Sequence, residues 1–138
     1  MKIEIINGVN LNMLGSREKQ VYGEQTLQEI NQTIGEYCKK RGVEVCFYQS
    51  NIEGEICERI QNSTADAIVL NAGAYTHYSI AIRDAISGAK KRVVEVHISN
   101  LFAREEFRQK SVIAPVCEGT LCGFGAKGYL LAIESFLL

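Results

Sequence analysis

Residues 92–108 read RVVEVHISNLFAREEFR, and the rest of the chain is placed from this stretch. Val93, Val94 and Val96 are β-branched and apolar, as befits a strand buried on both faces. The strand carries Glu95 and ends at His97. Ser99 and Asn100, which follow, favour turns and helix caps. Ala103 to Lys110 then reads as a short charged helix. A carboxylate two residues before an imidazole, at the carboxyl end of a strand, lies where parallel α/β sheets keep their chemistry. An internal salt bridge without a catalytic role is the other reading of the same pair.

Working outward, strands and helices alternate. Lys2–Asn7 is the first strand. A loop over Gly8–Gln25 follows, about 18 residues and so longer than structureless connections usually are, a property of functional lids. Thr26 and Glu29 form a capping box, and Leu27, Ile30, Ile34, Tyr37 and Cys38 repeat at helical spacing. Lys39, Lys40 and Arg41 suit that helix's C-terminus, and Gly42 stops it. Val43–Gln49 is a second strand. Ser50 and Glu53 suggest a second capping box, with Ile52, Ile56 and Ile60 on the inner face of its helix. Ala65–Asn71 is a third strand, followed by the loop AGAYTH and a helix from Tyr78 to Ser87 ended by Gly88. For the fifth strand Thr120–Phe124 is preferred over Val112–Val116, because Pro115 removes a ladder donor. A last helix, Ala126–Leu137, buries Tyr129, Leu130, Ile133 and Leu137.

Five such alternations imply a single α/β domain over residues 1–138, a parallel sheet with helices on both faces. The common flavodoxin-like order is 2-1-3-4-5, with a crevice at the carboxyl ends of strands 1 and 3. Three loops therefore meet on one rim: Gly8–Gln25, Ala72–His77 and the turn after His97.

Composition narrows the classes. Of 138 residues, 46% are hydrophobic and 22% charged, ordinary for a globular protein, and the net charge of -1 draws the chain to neither nucleic acid nor membrane. No apolar run approaches the roughly 20 residues of a membrane helix. MKIEIING at the start reads as a strand rather than a signal peptide. The five cysteines (Cys38, Cys46, Cys57, Cys117, Cys122) include no CxxC pair, pointing to free thiols in a reducing cytoplasm and giving no zinc spacing.

Both histidines of the chain, His77 and His97, fall on the rim, with Asn7, Asn10, Asn12, Arg17, Tyr22, Asn71, Ser99 and Asn100. Asn71 ends an apolar strand, where its amide needs a hydrogen-bond partner, either a ligand or the protein itself. A phosphoacceptor domain would need an acidic cluster after the first strand, but that exit is Asn7-Gly8 and the only aspartates are Asp66 and Asp84. GVNLNMLGSRE is not a phosphate cradle, GFGAKG follows the wrong strand, and no G-x-S-x-G elbow is present. What remains is a small acid/base set with amide and hydroxyl groups and no visible cofactor. It suits proton transfer at a carbon next to a carbonyl, with protonation of a leaving group.

The motifs NGVNLNMLGSRE with VYG (7–23), QSNIEGE (49–55), LNAGAYTHYSIAIRDA (70–85), EVHISNLFAREEFR (95–108) and GFGAKGYLLA (123–132) together resemble the type II 3-dehydroquinate dehydratases, from first strand to last helix. The resemblance implies loss of water from 3-dehydroquinate to give 3-dehydroshikimate, the third step of the shikimate pathway. The elimination is anti, through an enolate, with no cofactor or metal. By motif position, Tyr22 is the implied base at C2, with Arg17 favouring its phenolate. His97, oriented by Glu95, is the implied acid for the C1 hydroxyl, and Asn10 holds the water at the enolate oxygen. Asn71, with the backbone amides of Ile98 and Ser99, is implied to bind the carboxylate and C1 hydroxyl, and His77 and Arg108 the ring hydroxyls. Asp84 is expected to reach a neighbouring subunit, since the family assembles as a dodecamer of trimers. The chain departs from the family pattern at Val9 and Lys19, where proline is usual, and at Ala74, where glycine is. The two missing prolines imply a more mobile lid.

Elementary electrostatics supports a tyrosine base. A free tyrosine has a pKa of about 10, so ionising one at pH 7 costs about 4 kcal/mol. A cation about 4 Å away, at an effective dielectric near 20, returns about as much before desolvation. A non-catalytic module binding a polyhydroxylated acid would keep Asn71, Ser99 and Arg108 but have no use for Tyr22 and Arg17 together. A flavin binder would be yellow when purified.

Overall fold

The computed structural model describes residues 1–16 and 18–138. Five parallel strands, β1 (Lys2–Asn7), β2 (Glu44–Gln49), β3 (Ala67–Asn71), β4 (Arg92–His97) and β5 (Gly119–Cys122), form one sheet in the order 2-1-3-4-5. The α/β, flavodoxin-like architecture is therefore the one expected. Helices α2 (Leu27–Lys40) and α5 (Lys127–Leu137) cover one face, where Ile30, Ile34, Tyr129, Ile133 and Phe136 meet Ile3, Ile5, Val69, Val94 and Val96. Helices α3 (Glu53–Asn62) and α4 (Ile80–Ala89) cover the other, where Ile56, Ile60, Ile82 and Ile86 meet Ile6, Ile68, Leu70 and Val93. Among the described residues no helix is long and apolar enough to cross a membrane.

The two-residue period of the strands explains the polar exceptions. Glu4 alternates with Ile3 and Ile5, so it faces α3, where Arg59 and Ser63 satisfy its carboxylate. Glu95 and His97 likewise share a face of β4. Thr26 caps the helix as expected: its hydroxyl accepts from the Glu29 N–H at 3.1 Å, while the Glu29 carboxylate accepts from that hydroxyl.

Several expectations are corrected. The Gly8–Gln25 stretch is not loop throughout. It holds a 3-10 turn at Leu11–Met13 and a single helical turn, α1 (Lys19–Tyr22), and it buries Leu11 and Leu14 against α2 and the sheet. Ser50 makes no capping box with Glu53. Its hydroxyl accepts from the Ile52 N–H and donates to Glu55, whereas Glu53 accepts from Ser79 at the start of α4. Ile52, 59% exposed, precedes the first helical residue, so the helical period does not extend back to it. Gly88 lies inside α4, and Lys90 takes the left-handed conformation after it, at φ 55°. Ala103–Lys110 is not a helix but part of two 3-10 turns, Leu101–Ala103 and Glu106–Arg108. The Arg108 N–H bonds the Glu105 carbonyl, and the Gln109 side chain occupies the Arg104 carbonyl that a continuous helix needs. On α5 the outer face takes Leu137, and Ala132 and Phe136 are buried instead.

The exits of β1 and β3 are pressed together below the rim. The Gly8 N–H donates to the Asn71 carbonyl at 2.7 Å, and a Cβ at Gly8 would stand 2.5 Å from the Ala72 carbonyl oxygen. Gly8→Ala is expected to destabilise the fold by about 2 kcal/mol or more, because backbone must give way. Gly35→Ala, in open space on α2, should stabilise it by up to about 1 kcal/mol. Denaturant unfolding of both variants checks this; a neutral Gly8→Ala would contradict the close approach.

Candidate active site

A buried carboxylate organises the end of β4. Glu95 is fully buried and accepts from Thr76 Oγ1 at 2.6 Å and Thr120 Oγ1 at 3.2 Å, with Ser111 Oγ 2.9 and 3.0 Å from its two oxygens. Its Oε2 also meets His97 Nε2 in a short contact. Burial alone would raise the Glu95 pKa. The hydrogen bond and charge of His97, with the Thr76 and Ser111 hydroxyls, outweigh burial and hold the carboxyl below its ordinary range. An ionised carboxylate only accepts, so His97 carries a proton on Nε2, and Nδ1 is left for exchange.

His97 lies at the bottom of a pocket on the sheet's carboxyl edge. Asn10, Tyr22, Asn71, His77, Ile98, Ser99 and Arg108 line it too, so the fold gathers these sequence-predicted residues in one place. Asn71 is held by the protein itself: its Nδ2 donates to the Tyr129 hydroxyl at 2.9 Å, and its Oδ1 accepts from the Gly73 N–H at 3.1 Å. His77 Nδ1 meets the Lys110 carbonyl at 2.8 Å; a carbonyl only accepts, so Nδ1 is the donor and Nε2 remains the basic nitrogen. Arg108 is braced by Glu105 at 2.9 Å. Among the described residues, the backbone N–H groups of Ile98 and Ser99 donate to no protein acceptor, which leaves two donors beside His97. Asn10 takes the left-handed conformation at φ 68°, and its N–H donates to Asn51. Val9 and Ala74, two of the positions that depart from the family pattern, also line this pocket.

One expected residue is not brought in, and another cannot be placed. Asp84 is exposed on α4, outside its own chain's pocket. Arg17 lies outside the described residues.

Among the described residues, Arg104 lies against Tyr22. Its Nη1 donates to the Tyr22 hydroxyl at 2.8 Å, and its guanidinium carbon is 5.3 Å from the ring centroid. The same side chain, 12% exposed, reaches Glu18 at 3.5 Å. Arg104 thus touches the residue before α1 and the last residue of α1, clipping the loop over the pocket. In the sequence it is one charge within Ala103–Lys110, which reads as a short charged helix. The available signal was its four-residue spacing from Arg108, both following a strand that ends in His97. Thr76, Ser111 and Thr120 carried no signal, since single hydroxyls in loops have no pattern of their own.

The family model described as Dehydroquinase class II matches residues 1–137. A 3-dehydroquinate dehydratase of Clostridium beijerinckii is 54% identical, spanning 100% of this chain and 97% of that protein. One from Pelotomaculum thermopropionicum is 52% identical, spanning 98% and 95%. The crystal structure of a type II dehydroquinase from Butyrivibrio crossotus matches with a TM-score of 0.98 at 51% identity, covering 100% of this chain and 98% of that one. That of a type II dehydroquinase from Propionibacterium acnes gives 0.94 at 39% identity, covering 98% and 94%.

The depressed Glu95 carboxyl has a consequence for acid stability. A carboxyl with a lower pKa folded than unfolded stabilises the fold above the ordinary carboxylate range, near pH 4.3, and loses that contribution as pH falls through its folded value. Glu95→Gln should therefore lose stability less steeply than the parent between pH 5 and pH 3, from a lower starting point at neutral pH. Thermal unfolding across that range checks it; parallel curves would contradict it.

Proposed function

The chain belongs to the class II dehydroquinase family, and from that premise we propose how its pocket works. The protein dehydrates 3-dehydroquinate to 3-dehydroshikimate, the step of the shikimate pathway that its relatives are named for. Chemistry is divided between two ends of the pocket. At the outer end Tyr22, as phenolate, removes the C2 proton, and the enolate oxygen is met by a water held at Asn10. Arg104 is the cation that favours the phenolate, and the observation that carries the reading is its guanidinium on the Tyr22 hydroxyl at 2.8 Å. Arg17, implied beside Tyr22 by motif, adds a second charge. At the inner end His97, its Nε2 held by Glu95, gives a proton from Nδ1 to the departing C1 hydroxyl as the C1–O bond breaks, the C1=C2 double bond forms, the enolate returns to a ketone and water leaves.

Between these ends the substrate is held by oxygen-seeking donors. The carboxylate and C1 hydroxyl lie against Asn71 and the N–H groups of Ile98 and Ser99. His77 and Arg108 take the ring hydroxyls. Residues 8–25 act as a mobile lid over this arrangement, released when Arg104 lets go of Glu18 and Tyr22. A binding module without catalysis would have no use for an arginine on the phenol, which is why the enzyme is preferred.

Assembly completes the site in this reading. Asp84 reaches the pocket of a neighbouring copy within a trimer, and four trimers form a dodecamer in the cytoplasm. Two features support this. Ile80 is 56% exposed one helical turn before Asp84, on the same face of α4. All five cysteines are free, as in a reducing compartment.

Purified protein should turn over 3-dehydroquinate, followed by the ultraviolet absorbance of the conjugated product, with EDTA present and after borohydride treatment. Tyr22→Phe should lose about a hundredfold or more in kcat while still binding substrate. Activity within a factor of a few of the parent would sink the assignment. Light scattering should give a mass near twelve copies of the 15.3 kDa chain, and Asp84→Ala should raise KM. A monomer with full activity would overturn the shared site.

A further inference from the structure

Tyr129 has no part in the reaction described above. It is fully buried on α5, and its hydroxyl lies between side chains at the carboxyl ends of the two central strands. Asn71 Nδ2 donates to it at 2.9 Å, and it stands 2.5 Å from Asn7 Oδ1.

The direction of these bonds follows from one fixed donor. The Gly73 N–H can only donate, so the Asn71 atom it meets at 3.1 Å is the amide oxygen. Asn71 Nδ2 therefore faces Tyr129, whose oxygen accepts. Tyr129 has a single proton, which goes to Asn7 Oδ1. Burial pushes the Tyr129 phenol well above the ordinary tyrosine range, so that proton stays in place. Turning the Asn71 amide over would set Nδ2 against the Gly73 N–H and draw the tyrosine proton away from Asn7. Each change leaves a buried polar group badly paired.

We infer that Tyr129 and Asn7 are positioning residues that fix the polarity of Asn71, so that it offers its second N–H, not a carbonyl, to the pocket. Neither Tyr129 nor Asn7 lines that pocket. The inference rests on the reading of Asn71 as a ligand for the substrate's carboxylate and hydroxyl oxygens. It makes the site selective for acceptor oxygens there, and against a donor such as an amide.

The test is steady-state kinetics with 3-dehydroquinate on the parent, Tyr129→Phe, Asn7→Ala and the double variant. Contacts made equally by ground and transition states appear in KM, so Tyr129→Phe should raise KM about tenfold with kcat changed by less than about threefold. Asn7→Ala should raise KM in the same sense. The double variant should be no worse than Tyr129→Phe alone, because one chain of hydrogen bonds is broken either way. KM unchanged in Tyr129→Phe, or kcat falling as far as KM rises, would overturn the inference while leaving the dehydratase reading intact. Additive KM effects would also overturn it. If Tyr129→Phe does not fold, Asn7→Ala decides: an unchanged KM overturns the inference. A parent without turnover would overturn both readings.

Discussion

A buried carboxylate must be compensated, and Glu95 shows what that requirement builds. Its partners come from separate parts of the chain: Thr76 from the turn after β3, Ser111 from the segment after the two 3-10 turns, Thr120 from β5 and His97 from its own strand. A charge with no solvent costs several kcal/mol unless such groups surround it, so these segments are drawn to one point. Ser111 in turn accepts the Ala114 N–H, and the Val112 N–H bonds the Thr76 carbonyl. Residues 98–116 are thereby fixed across the rim. That fixed segment presents Arg104 and Arg108, and it sets a cation against Tyr22.

The sheet and its order were legible because they rest on local signals. Valines at 93, 94 and 96, the capping pair Thr26 and Glu29, and the helical repeat of Ile30, Ile34 and Cys38 each speak for themselves. The pocket followed from topology, since parallel strands bring their exits to one edge, and that is where the histidines stand. The long motifs supplied the reaction, which periodicity could not do. The errors have a common cause. Ile52, Gly88, Leu137 and the Ala103–Lys110 segment lie at ends of elements or between them, where capping bonds and tertiary contacts override periodicity.

Arg104 and Tyr129 were missed for different reasons. Arg104 was visible but ambiguous, one charge in a stretch that reads as a short charged helix. Its partner Tyr22 is 82 residues away in sequence, and no local rule joins them. Tyr129 was correctly placed in the core by its helical spacing, and the core reading hid its hydroxyl. Only the fold puts that hydroxyl between Asn7 and Asn71, 122 and 58 residues distant. Glu18 was hidden too, because its role depends on a left-handed backbone, φ 36°, that sequence gives no reason to expect.

In the proposed reaction, proton removal and water loss belong to opposite ends of the pocket. Its most direct test is His97→Ala in deuterated water with 3-dehydroquinate. Mass spectrometry of the recovered substrate would follow hydrogen exchange at C2, and absorbance would follow product. Exchange should continue while dehydration is lost, because Tyr22 and Arg104 are untouched. Dehydration at the parent rate, or loss of exchange together with dehydration in a folded variant, would contradict it.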